Sequence, residues 1–248
     1  MPIRINNFLP QSVMDELYRP LLELPQQEPD QVLLSADQEY AAAVYELKDS
    51  REKAVLECVV TARGGENSEI VDMDIVVRDA PEVELSLREK LSVTEGNEYW
   101  RIDYDDKVTE GETVFAHFLP EGEKKGYRAK VSGILFRADV YENYEDLAKQ
   151  REGKAQLADD FLACGSLGGA ESFCIFLGEV LKVRKMKIHV GEAAFRCSLL
   201  TVRTGLGEIP FLYGSEQVRE AGIRAGKVIL ASADLKLDLR EMAVQATS

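Results

Sequence analysis

AVLECVVTA (residues 54–62), RGGENSE (63–69) and IVDMDIVV (70–77) run consecutively and decide the fold class. Two runs rich in β-branched residues flank a polar segment. Its Gly64 and Gly65 accept the positive φ of a tight turn without a Cβ clash. A hairpin is predicted. In the second run Val71, Met73, Ile75 and Val77 fall on one face and Asp72 and Asp74 on the other. That period of two predicts an antiparallel sheet with an apolar side and a wet side. Asp72 and Asp74 could also hold a divalent cation as an Asp-x-Asp pair, but alternation on a half-exposed strand accounts for the same spacing.

The period of two continues downstream through EYWRIDY (98–104), ETVFAHFLP (112–120) and YRAKVSGILFRADVY (127–141), the last two separated by the turn-like EGEKKG. DYDDKVTEG (103–111) resembles a calcium loop only in its acids. Lys107 and Val108 stand where a fifth ligand and the sixth-position glycine belong, so it reads as a solvated turn. Upstream, Val13, Met14, Leu17, Tyr18, Leu21 and Leu22 form one stripe at helical spacing over Ser12–Leu22. ELPQQEPDQ then leads away from that amphipathic helix.

ENYEDLAKQREGKAQLADDFLA (142–163) breaks the β pattern and reads as a helical connector. ACGSLGGAES (163–172) follows. It lacks the Lys-Ser/Thr of a phosphate loop, and as the exit from a helix it has the wrong polarity for a dinucleotide fingerprint. Gly165 is expected to cap the helix, with Gly168 and Gly169 completing a hinge. β pattern resumes in SFCIFLGEVLKVRKMKIHV (172–190), AFRCSLLTVRT (194–204), EIPFLYGS (208–215) and KVILASADLKLDL (227–239), with a short helical EQVREAG before the last. That order resembles a small Greek-key barrel of the oligonucleotide/oligosaccharide-binding (OB) type. The chain is therefore expected to be mainly β. A helix and linker would occupy residues 1–30, an acidic β-rich domain 31–141, a helical connector and glycine hinge 142–170, and an OB-like barrel 171–248. VTEGETVFAHF (108–118) echoes IRAGKVILASA (223–233) when Gly111 is set on Gly226, which would suit a duplicated β module.

Charge divides the same way. The whole chain carries a net charge of −14, yet residues 171–248 hold 11 basic and 9 acidic residues, leaving the first 170 with 19 basic and 35 acidic. A polyanion is repelled by the first part and tolerated only by the second. Candidate ligand contacts are Lys182, Arg184, Arg196 and Arg203, with Phe211 and Tyr213 as neighbouring aromatics. Alternation sends Lys182 and Arg184 to one face and Lys185 and Lys187 to the other.

No apolar run is long enough to span a membrane, and no secretory signal is evident at the N-terminus. The four cysteines, Cys58, Cys164, Cys174 and Cys197, form no Cys-x-x-Cys pair. Reduced thiols and a cytoplasmic location are expected, with Cys58 and Cys197 as small apolar strand residues and a cross-strand meeting of Cys174 with Cys197 left open. Cys164 lacks a neighbouring His to activate it as a nucleophile. His117 and His189 are too few to nominate a zinc site, and no cofactor is implied. The expected function is that of a binding or interaction protein without catalytic activity, engaging a protein partner or its own acidic part. One alternative is nucleic-acid binding through the C-terminal barrel. The other is a hydrolase or transferase whose carboxylates converge only in the fold.

Overall fold

The computed structural model describes residues 19–35, 37–64, 69–94, 97–104, 107–115, 118, 126–152, 154, 156–166 and 172–240. Residues 19–23 are helical (α1), and α1 passes into a 3₁₀ turn at Leu24–Gln26 with Pro25 in its first turn. The rest of the helix expected from Ser12 lies outside the described residues. So do His117, Gly168 and Gly169.

Strands β1 (Gln31–Leu34), β2 (Tyr40–Lys48), β3 (Ala54–Arg63) and β4 (Glu69–Val77) form a four-stranded antiparallel meander, and the opening hairpin is its β3–β4 pair. The remaining strands build one nine-stranded sheet: β5 (Glu82–Thr94), β6 (Asn97–Tyr104), β7 (Lys107–Val114), β8 (Tyr127–Tyr141), β9 (Leu162–Ser166), β10 (Ser172–Val190), β11 (Ala193–Thr204), β12 (Gly207–Gly214) and β13 (Val228–Asp238). DYDDKVTEG is thus mostly strand, with Lys107–Gly111 already in β7. Helix α2 (Tyr144–Gln150) is capped by the Asn143 side chain, which accepts from the Asp146 N–H at 2.9 Å, and α3 (Ser215–Glu220) links β12 to β13.

The mainly β class therefore holds. The boundary expected at 142–170, however, falls inside one sheet, because β5–β8 come from before it and β9–β13 from within or after it. Pairings run β10–β11–β12–β8–β13 and back to β10. Strand β8 borders β13 along the whole of β13, and meets β12 in parallel through two pairs, Phe211 with Gly133 and Leu212 with Ile134. The ring of the C-terminal strands is thus completed by residues 127–141. Gly111 lies within β7, whereas Gly226 occupies a turn at φ 83, so the sequence echo does not mark equivalent positions.

ACGSLGGAES is not the exit of a helix. Residues 162–166 form β9, which runs antiparallel to β10 with Gly165 opposite Phe173 and Ser166 opposite Ser172. Gly165 is a strand residue, not a helix cap. The same register sets Cys164 directly opposite Cys174, and the two are disulfide-bonded. This corrects the expectation of four reduced thiols. Cys58 and Cys197 are free and buried, and burial pushes the Cys197 thiol up to about 12.

Both faces of β3 and β4 are covered. One face carries Cys58, Val60, Met73, Ile75 and Val77 into a core shared with Met186, Ile188, Phe195 and Cys197 of β10 and β11, with Leu21 and Leu24 packed beside it. The other face, expected to be wet, is buried as well. Asp72 and Asp74 point there beside Thr61, Val59 and Val76, and the apolar residues among them pack on Val114 and Phe115. Alternation identified the two faces correctly from Asp72 to Val77, but a register shift brings Ile70 rather than Val71 to the apolar core, and the polar face meets buried charge instead of water.

Candidate functional site

Beyond the ring, β10 and β11 continue as a two-stranded ribbon that turns at Gly191–Glu192, with Val190 opposite Ala193 and Gly191 at φ 57. A two-residue hairpin turn needs that left-handed glycine, and it fixes the register of everything behind it. Lys187 pairs with Arg196 and Lys185 with Ser198, on the face turned away from the Met186, Ile188 and Phe195 core. Lys185, Lys187 and Arg196 are exposed.

The outward face is the floor of a groove of about 1280 Å³. One wall is α3 with Ser215 and Arg219, and the Ser215 hydroxyl lies 3.1 Å from that of Ser198. The other wall is the β2–β3 turn, residues 49–53. Asp49 organises that turn. Its carboxylate accepts from the backbone N–H groups of Arg51 at 2.9 Å and Lys53 at 3.3 Å, and it takes Arg184 Nη2 at 2.6 Å. Its backbone bridges to Ile188, and the Ser50 hydroxyl donates to the Lys187 carbonyl at 3.4 Å. The Arg51 N–H and then the Arg184 guanidinium hold the Asp49 carboxyl below its usual range. Arg51 and Lys53 are thereby presented along the ribbon edge.

Eight cations and two carboxylates line this groove. Arg184 is matched by Asp49 and Arg219 by Glu216. Arg51, Lys53, Lys182, Lys185, Lys187 and Arg196 make no ion pair among the described residues. Elsewhere Arg19, Arg63, Arg78, Arg88, Arg101 and Arg137 each meet a carboxylate, while exposed Lys48, Arg128, Lys149 and Lys154 stand singly and also make no ion pair among the described residues. A second hollow of about 780 Å³ shares Val183, Lys185 and Arg219 with the first and continues past α3 to Arg224 and Lys227, both of which reach Glu142.

Of the residues expected to bind a ligand, Lys182, Arg184 and Arg196 line the groove. Arg203 does not. It lies across from Glu179 and Glu208 on neighbouring strands and is neutralised by both, at 3.0 and 3.7 Å. Phe211 is buried and stacked on Phe176 with ring centroids 4.7 Å apart, and Tyr213 is buried in the same core. Both are core residues because most of β12 is covered on its two faces. Lys185 and Lys187, set aside as the opposite face, form the groove floor; counting back from the Gly191 turn would have paired Lys187 with Arg196. Arg51 and Lys53 come from a turn more than a hundred residues away, and no local signal announces them.

Carboxylates also converge at a second place. Lys236 Nζ meets Asp74 Oδ1 at 2.9 Å, Asp234 Oδ2 at 3.1 Å and Glu112 Oε2 in a closer contact. Asp72 stands beside Asp74. Burial, then the charges of Asp74 and Glu112, push the Asp72 carboxyl up to about 9, and burial also raises Asp234. All five side chains are buried, and neither hollow described above is lined by them. Next to this cluster Arg240 joins Glu57 at 2.5 Å to Asp238 at 3.0 Å. These contacts tie the meander's polar face to β7, β13 and the residues just after them. Exposed His189 belongs to no metal-ligating group among the described residues.

No helix among the described residues is long and apolar enough to cross a membrane. Comparison with family models, with curated proteins and with solved structures gives no match.

Proposed function

We propose that this chain is a binding protein whose site is the basic groove and whose ligand is an extended polyanion. One observation carries the reading: six exposed cations line one groove without an ion pair among the described residues, in a chain of net charge −14. Cations gathered in one groove without such pairs are a surface from which a negative ligand displaces only water and small ions. The continuation of the groove past α3 suits a long ligand better than a small anion. The five-strand ring adds a weaker argument by analogy. It resembles an OB-type barrel in which β8 stands in for the closing strand, and such barrels bind polymers on their central strands and adjoining loops. The carboxylate cluster at Lys236 is closed to a substrate and is read as cohesive, which favours binding over hydrolysis or transfer.

The test is charge reversal on the groove floor. Lys185→Glu with Lys187→Glu alters two exposed side chains, so the melting temperature should hardly move. Binding to inorganic polyphosphate at low salt should weaken by about tenfold or more as two cationic contacts become repulsive. Unchanged polyphosphate affinity in the double variant would contradict the assignment of the site.

A further inference from the structure

Resting on the reading of the groove as a polyanion site, we propose that its ligand is a nucleic acid held by its phosphate backbone, without reading of the bases. Two features separate this from an acidic protein segment. Protein interfaces are depleted of lysine at their centre and depend on apolar or aromatic anchors in desolvated pockets. This groove has Lys53, Lys182, Lys185 and Lys187 at its surface, while its larger apolar lining residues, Met186 and Phe195, are buried in the core behind it. Nucleic-acid interfaces are more polar and far more positive, which is the composition found here.

The same lining indicates how the polymer is held. Single strands are gripped by stacking bases on exposed aromatics, and Phe195, the one aromatic of the described lining, is buried. Base edges are read chiefly by bidentate Arg, Asn or Gln side chains reaching into a groove of the duplex from an inserted helix or ribbon. The cations here instead line the floor and wall of a concave surface, where they meet the outside of a backbone. Lysine suits that role as a point charge without directional demands. A site built this way accepts a duplex and is indifferent to its sequence.

The test measures binding of the full chain at about 50 mM salt to four probes by fluorescence anisotropy: an A·T-rich and a G·C-rich 20-base-pair duplex, a 20-nucleotide oligo-dT, and poly-L-glutamate of matched charge. The duplexes should bind within about threefold of each other, oligo-dT no tighter than either, and polyglutamate at least about tenfold more weakly. The Lys185→Glu, Lys187→Glu variant should lose binding to both duplexes. Polyglutamate binding as tightly as DNA would overturn the nucleic-acid assignment while leaving the polyanion site standing. Discrimination between the duplexes beyond tenfold, or a tenfold preference for oligo-dT, would overturn backbone-only recognition. Failure of every probe and of polyphosphate alike would remove the site itself.

Discussion

Lys236 holds three carboxylates on one ammonium with 1% of its side chain exposed, and Asp72 adds a fourth acid beside them. Four ionised carboxylates around one cation in a buried site repel one another more than the lysine can offset, so the group keeps a proton as a unit. A pH dependence follows. The folded chain retains at Asp72 a proton that the unfolded chain releases near pH 4, and gives it up only at about 9. The stability from this site is therefore fully present below about pH 4 and is lost as pH rises toward 9, at up to about 1.4 kcal/mol per pH unit for one retained proton. Urea titrations at pH 5, 7 and 9 should show this loss, and Asp72→Asn, which has no proton to lose, should flatten it. Equal pH slopes in the two proteins would refute the shared proton. Sequence alternation marked Asp72 and Asp74 as polar-facing but had no means of telling water from a buried lysine 162 residues away, because that contact exists only once the two sheets pack.

At the scale of elements, the strands and short helix from residue 172 onward were legible because their alternation and turn glycines are local. β10 spans the run SFCIFLGEVLKVRKMKIHV, and Gly191 turns the ribbon. The role of β8 was not legible. Its parallel contact with β12 joins residues far apart in sequence and leaves no periodic trace. That contact depends on Gly133: a Cβ there would stand 2.6 Å from the Phe211 ring and 3.0 Å from the Asp234 carbonyl. Gly133→Val should push β8 off β12 and cost about 1–3 kcal/mol by overpacking, read from the urea midpoint. A midpoint equal to the parent's would mean that the parallel seam contributes nothing. ACGSLGGAES was misread for a related reason. Helix-favouring residues before it suggested a cap, whereas the pairing of β9 with β10 overrides that local preference and sets Cys164 against Cys174.

At the scale of the whole molecule, the two charge regimes of the sequence are not two separate bodies. The acidic first part supplies β8 to the ring, the meander that supports the ribbon, and the 49–53 wall of the groove. Residues 171–248 expressed alone should therefore show no cooperative melting transition, since β12 and β13 both lose β8 and the ribbon loses its apolar backing. A sharp transition in that fragment would restore an independent C-terminal domain. Charge composition pointed to the C-terminal part as the polyanion-facing one, but it hid Arg51 and Lys53, which stand among acids in sequence and among cations in space. The most direct test of the groove is its salt dependence with a DNA duplex. Each phosphate neutralised contributes about −0.9 to the slope of log K against log salt, so the six cations that make no ion pair among the described residues set a limit of about −5. The intact protein should approach that slope, and Lys185→Ala with Lys187→Ala should reduce its magnitude by about 2. A slope that these two substitutions leave unchanged would contradict the assignment of the groove as the site where the polyanion is held.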